Sequence, residues 1–179
     1  MSNELTGAFE DAMASLVIAE VTGYGLTAYN VTTGFTDETK DLPSIVCAIV
    51  DNEPIRPRSN TARLSGYIEV NSSNKDKYVE QSPQGRHGDL INACIDLLEQ
   101  YDIKTQITAA AEDSIHVYEF EIGKSTRAPS GLSHLQTTIS FNALCVYLGN
   151  RQFATDSVGN IATDSEGNLA TDSKNNIAY

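Results

Sequence analysis

With 179 residues, 40% of them hydrophobic, the chain holds enough apolar material for one domain with a sizeable core plus an extension, and a chain disordered throughout is not expected. Its 24 acidic against 12 basic residues give a net charge of −12. That argues against a protein that wraps nucleic acid, because such binding gains from neutralising phosphates; plain solubility is the simplest use of the charge.

The opening "NELTGAFEDAMASLVIAEVTGYGLTAY" reads as an amphipathic helix. Phe9, Met13, Leu16, Val17 and Val21 form its apolar stripe, Glu10, Asp11 and Glu20 stand off it, and the Gly23–Gly25 pair ends it. "NVTTGFTDETKDLP" is a polar loop. "SIVCAIV" (44–50) is continuously apolar and rich in β-branched residues, so it predicts a strand buried on both faces, stopped by Asp51-Asn52-Glu53-Pro54. "ARLSGYIEVN" (62–71) alternates, with Leu64, Ile68 and Val70 on one side and Arg63, Tyr67 and Glu69 on the other, as in a half-buried strand.

A long polar loop, "SSNKDKYVEQSPQG", leads to a second helix from about Gly85, with Leu90, Ile91, Cys94, Leu97, Leu98 and Tyr101 as its stripe. "SIHVYEFEIG" (114–123) is a third strand, "GKSTRAPSG" a loop, and "TTISFNALCVYL" (137–148) the fourth and longest strand. The order helix, strand, strand, helix, strand, strand predicts an α+β fold over residues 1–150, with helices packed on a mostly antiparallel sheet of about four strands. Residues 151–179 form a separate C-terminal extension.

Cys47, Cys94 and Cys145 form no CxxC pair and each lies inside an apolar run, the habit of reduced thiols used as small core residues in a reducing cytoplasm. No run approaches 18 apolar residues and the N-terminus has no basic region, so neither a membrane span nor a signal peptide is expected.

No catalytic constellation emerges, and neither a cofactor nor a metal site is expected. His87, His116 and His134 fall in "RHGD", "SIHVY" and "LSHLQ", without two ligands on one helix face. His116 alternates with apolar residues and reads as a structural histidine. His87 and Asp89 could be a dyad, but a helix start with Asp89 near its positive end is the simpler account. "GKST" lacks the upstream glycine of a phosphate loop. "PIRPRSNTAR" gathers Arg56, Arg58 and Arg63 between two strands; without interleaved aromatics it is a weak nucleic-acid signal. In an acidic chain it fits either a charge-complementary subunit contact or a solvated loop.

The chain closes on ATDSVGNI, ATDSEGNL and ATDSKNNI, starting at Ala154, Ala162 and Ala170. Gly159 and Gly167 are matched by Asn175, so this position calls for a left-handed backbone and a tight turn. Asp156, Asp164 and Asp172 open the turns, and Ile161, Leu169 and Ile177 supply one apolar residue per arm. One Asp per eight residues is too sparse for a calcium loop. One apolar side chain per arm builds no core, leaving two readings: an appendage that docks on another subunit, or a disordered tail grown by duplication.

The layout of residues 1–150 resembles the small ring-forming neck and tail-end proteins of tailed bacteriophages, above all the tail-terminator (tail-completion) family. The features that carry the likeness are the helix "AFEDAMASLV", the strand "SIVCAIV" followed by "DNEPIRP", the helix "HGDLINACIDLLEQ" and the last strand "TTISFNALCVYL". The resemblance implies a non-enzymatic virion component that assembles as a ring, typically a hexamer, at the head-proximal end of the tail. Such a ring stops tube growth, joins the tail tube to the neck proteins and surrounds the channel through which DNA slides. In that setting Arg56, Arg58, Arg63, Ile161, Leu169 and Ile177 are candidates for subunit contacts. Glu10, Asp11, Glu20, Glu119 and Glu121 are candidates for facing the channel. A stopper, adaptor or tube protein is the alternative within this class; a monomeric ligand-binding module is the alternative outside it.

Overall fold

The computed structural model describes residues 2–26, 30–34, 42–57, 59–73, 82–128 and 134–148. Among these, three helices pack with a five-stranded, mostly antiparallel sheet, an α+β fold. All of them except Leu148 belong to the unit Met1–Tyr147; the unit Leu148–Tyr179 is otherwise outside the described residues, as are Arg58 and the whole repeat with Gly159, Gly167, Asn175, Ile161, Leu169 and Ile177.

Helix α1 (Ser2–Gly23) buries Phe9, Met13, Val17 and Val21 as its stripe requires, with Leu16 half-buried. Gly25, at φ 71°, ends it: Leu26 N–H bonds Val21 C=O at 3.2 Å and Gly25 N–H bonds Thr22 C=O at 2.9 Å. This is the two-bond closure that a left-handed residue after a helix permits, and buried Leu26 and Val21 supply its apolar contact.

The sheet runs β1-β2-β3-β5-β4, with β1 (Asn30–Thr33) parallel to β2 (Ser44–Pro54) and every other neighbour antiparallel. β3 (Thr61–Ser73) and β5 (His134–Tyr147) form its centre. β3 buries Ala62, Leu64, Gly66, Ile68, Val70 and Ser72 in strict alternation. β2 is buried on both faces over Ser44–Ile49: Ile45, Cys47 and Ile49 join the main core, while Val46 and Ala48 alternate with them. Phe141 of β5 stacks between Phe9 of α1 (centroids 5.7 Å) and Phe120 of β4 (Ile115–Arg127; 5.5 Å).

Five strands stand where about four were expected. β1 holds one apolar side chain in four residues and so looks like loop in sequence; parallel pairing to β2 makes it a strand. β2 runs on through Asp51–Pro54 because β3 pairs with it to Ala62. β4 continues through "GKSTR" for the same reason, Ser125, Thr126 and Arg127 pairing with Ile139, Thr138 and Thr137. A Cβ at Gly123 would run into Ser140, so the glycine serves strand packing and not a phosphate loop.

Helix α2 (Pro83–Leu98) starts earlier than Gly85: Ser82 accepts a hydrogen bond from Gly85 N–H at 3.1 Å, with Pro83 at the first helical position. Asp89 therefore lies beyond the first turn and does not complement the helix start. Helix α3 (Ile103–Ala110), absent from the sequence reading, places Ile103 and Ile107 in the core. The turn between α2 and α3 throws Tyr101 outward, 96% exposed, off the stripe to which its spacing assigned it. α1 lies against β1, β2 and the other two helices, α2 against β3 and β5, and α3 against β4. No helix among the described residues is long and apolar enough to cross a membrane.

Candidate functional site

Alternation along the strands decides what the sheet shows on the face opposite the helices. Since Leu64 and Ile68 point into the core, Arg63, Ser65, Tyr67 and Glu69 point away from it. On β4, Phe120 packs on core Phe141, so Glu119 and Glu121 also point away.

β2 contributes through an irregularity. Ile49 pairs with Gly66 but Asp51 with Ser65, so Val50 is an extra residue, a bulge, and it is 54% exposed. The bulge re-phases the strand: from here Asp51 and Glu53 point away from the core. It is held from the helical side, where the Glu10 carboxylate accepts the Ile49 N–H at 2.7 Å. Burial raises the Glu10 carboxyl above the ordinary carboxylate range; the Ile49 N–H partly offsets this and neighbouring Asp11 adds to it.

Cross-strand register then assembles two rows over four strands. One reads Glu53, Arg63, Leu144, Glu119; the next reads Asp51, Ser65, Asn142, Glu121. Each row begins and ends in a carboxylate. With neighbouring strands spaced about 4.8 Å apart, the flanking β2 and β4 backbones stand about 14 Å apart. The result is an open concavity of about 470 Å³ lined by those eight residues together with Leu64 and Ala143. Ser65 Oγ donates to Asn142 Oδ1 at 2.8 Å across its floor. Four carboxylates against one guanidinium make the trough acidic. Such a lining repels polyanions and offers no stacking platform for bases.

The trough separates the sequence-derived candidates. Glu119 and Glu121 belong to it. Glu10, Asp11 and Glu20 lie on α1, in the layer across the sheet, and cannot share a wall with them. Glu10 is committed to Ile49, and Glu20 accepts from Gln100 Nε2 at 3.2 Å; Asp11 is exposed. The three arginines do not act as one basic loop. Arg63 lies in β3 on the trough floor, Arg56 is exposed in the turn after β2, and Arg58 is outside the described residues. Asp51 and Glu53, half of the trough's carboxylates, look like a strand stop in sequence, yet they continue β2. Nothing in the sequence marks the bulge at Val50, and without it the alternation points them elsewhere.

The histidines divide likewise. His116 is exposed on β4 and meets Tyr118 edge-on at 4.8 Å, so it is not the enclosed residue its apolar neighbours implied. His134 opens β5 at the surface. His87 is only 5% exposed, its two ring nitrogens engaged by Ser72 Oγ (2.9 Å) and Thr137 Oγ1 (3.0 Å), with no role for Asp89 as its partner in those bonds. The three cysteines are free and buried. Burial pushes the thiols of Cys94 and Cys145 up to about 12 and raises that of Cys47 as well. Among the described residues, no group of three or more His, Cys, Asp or Glu is arranged to hold a metal ion.

No protein-family model matches the chain, and no curated protein matches it significantly.

Proposed function

We propose that the protein is a structural component of a tailed-phage virion, a tail terminator whose copies close into a ring at the head-proximal end of the tail, with the acidic trough turned toward the DNA channel. The observation that carries this reading is the trough itself: two cross-strand rows ended by Asp51, Glu53, Glu119 and Glu121 on the sheet face away from the helices. A wall of like charge keeps DNA moving, because phosphates find nothing to neutralise them. The sheet also ends in two edges, β1 and β4, and edge strands are surfaces along which further strands add. A head-to-tail ring, with six copies as the family resemblance implies, would set β4 of one copy beside β1 of the next. The pairing would be antiparallel, since β1 and β4 run in opposite directions within the sheet. The tail tube on one side and neck proteins on the other are the partners this position requires, and the repeats at 154–177 are the segment proposed to dock on a neighbouring subunit.

A ligand-binding module is the competing account, since about 470 Å³ lies within the size range of small-molecule sites. Such sites are mainly apolar, whereas this trough carries four carboxylates and one guanidinium.

The test is loss of the protein during phage assembly. Tubes of unregulated length that fail to join heads are expected. Normal, infectious particles would overturn the proposal. Reversing Glu119 and Glu121 to lysine should leave particles assembled but slow DNA release; unchanged release would remove the channel-facing part alone.

A further inference from the structure

His87 belongs to no part of the proposed assembly surface, and its surroundings are unusual for a titratable side chain. It is the fifth residue of α2, yet it reaches two strands at once, Ser72 near the end of β3 and Thr137 near the start of β5. All three side chains are enclosed: His87 is 5% exposed, Ser72 3% and Thr137 1%. We propose that His87 is an acid-sensitive clasp, whose neutral imidazole ties the start of α2 to the sheet and whose protonation loosens it.

The chemistry lies in donor and acceptor counting. A neutral imidazole has one N–H and one bare nitrogen, so whichever tautomer is present, one of the two hydroxyls donates to the ring and the other accepts from it. Protonation turns both nitrogens into donors. The hydroxyl that had donated loses the imidazole as its acceptor, and a buried polar group that loses its partner is costly. A charge is also created in an enclosed site facing Arg127 of β4. Burial first, and Arg127 second, hold the His87 imidazole below its ordinary range. Gln84 of α2, Arg127 of β4 and Gln136 of β5 stand beside the clasp, whereas Glu69 of β3 points to the opposite face of the sheet. The Glu69 carboxylate is held by Gln136 Nε2 at 2.6 Å and Asn71 Nδ2 at 2.8 Å. A cavity of about 90 Å³ between His87, Thr137, Gln84, Gln136 and Arg127 gives a proton a route to the ring.

The direction follows from linkage. A histidine whose folded pKa is depressed leaves stability intact above the unfolded value of 6.5. It lowers the folding constant as pH falls through 6.5, by up to tenfold per pH unit, until the folded-state pKa is reached. The experiment compares the full chain with His87→Gln and Arg127→Gln between pH 7.5 and 5. NMR follows the His87 imidazole titration, and hydrogen exchange follows the α2 amides. His87 should titrate below 6.5, and the first half of α2 should lose protection on acidification. Arg127→Gln should move the His87 titration to higher pH and make the acid loss of α2 protection smaller. His87→Gln should flatten the acid loss; if that variant does not fold, the Arg127→Gln shift carries the test. A His87 that titrates at or above 6.5, or α2 protection that ignores pH, would overturn the proposal. It stands or falls independently of ring assembly.

Discussion

Replacing Glu10 distinguishes a carboxylate that holds the fold from one that lines a channel. The side chain reaches from α1 to the Ile49 amide at the only point where β2 slips against β3, and the bond is 2.7 Å long. Glu10→Ala removes that acceptor and leaves a part-buried amide without a partner, which costs about 1–3 kcal/mol. Glu10→Gln keeps an acceptor oxygen and removes only the charge. Because the folded-state pKa of Glu10 is raised from 4.5, its contribution to stability is fully present below 4.5 and is lost as pH rises through the raised value. Gln at this position should therefore match or exceed the wild type at pH 7, with any advantage closing toward pH 4. Urea unfolding followed by circular dichroism at the two pH values measures both effects as shifts in midpoint at constant slope. If Gln is as damaging as Ala at pH 7, or if Ala is harmless, Glu10 does not anchor the bulge. The route by which Asp51 and Glu53 reach the trough would then need another explanation.

Gly66→Ala places a Cβ 2.6 Å from Ala48 C=O, 2.7 Å from Phe141 Cζ and 2.8 Å from Ile49 Cδ1; with backbone among the obstacles it should cost about 1–3 kcal/mol, read from the urea midpoint, and unaltered stability would contradict the strand packing. Native protein at pH 8 should resist thiol alkylation at Cys47, Cys94 and Cys145, whose thiols burial holds above the usual range, and should label at all three once unfolded. Truncation after Asn150 should leave the melting temperature of the domain unchanged, because among the described residues the fully buried core ends at Cys145; a large fall would make the tail part of that core.

The elements easiest to read in sequence were those whose apolar spacing is long and regular. The stripe of α1 and the alternation of β3 went into the structure nearly residue for residue. What escaped was short or depended on a partner. β1 has one apolar residue in four, and α3 is two turns long, so its single i, i+4 pair of Ile103 and Ile107 is too short a pattern to stand out. The second half of β4 is polar and becomes a strand because β5 pairs with it. The trough was less legible. Glu119 and Glu121 reach this face through a register shift at Tyr118 of β4, and Asp51 and Glu53 through the bulge at Val50, fixed by a carboxylate 39 residues upstream. The His87 contacts were hidden for the same reason, since Ser72 and Thr137 lie 15 and 50 residues away from it.

The central claim is that copies of this chain form a ring at the head-proximal end of a phage tail, and cryo-electron microscopy of purified particles from a phage encoding the chain tests it most directly. The account predicts a closed ring at the head–tail joint into which the sheet and three helices fit, with β4 beside β1 of the next copy and Asp51, Glu53, Glu119 and Glu121 facing the lumen. Particles that lack the protein, or that carry it as isolated monomers away from the joint, would contradict it.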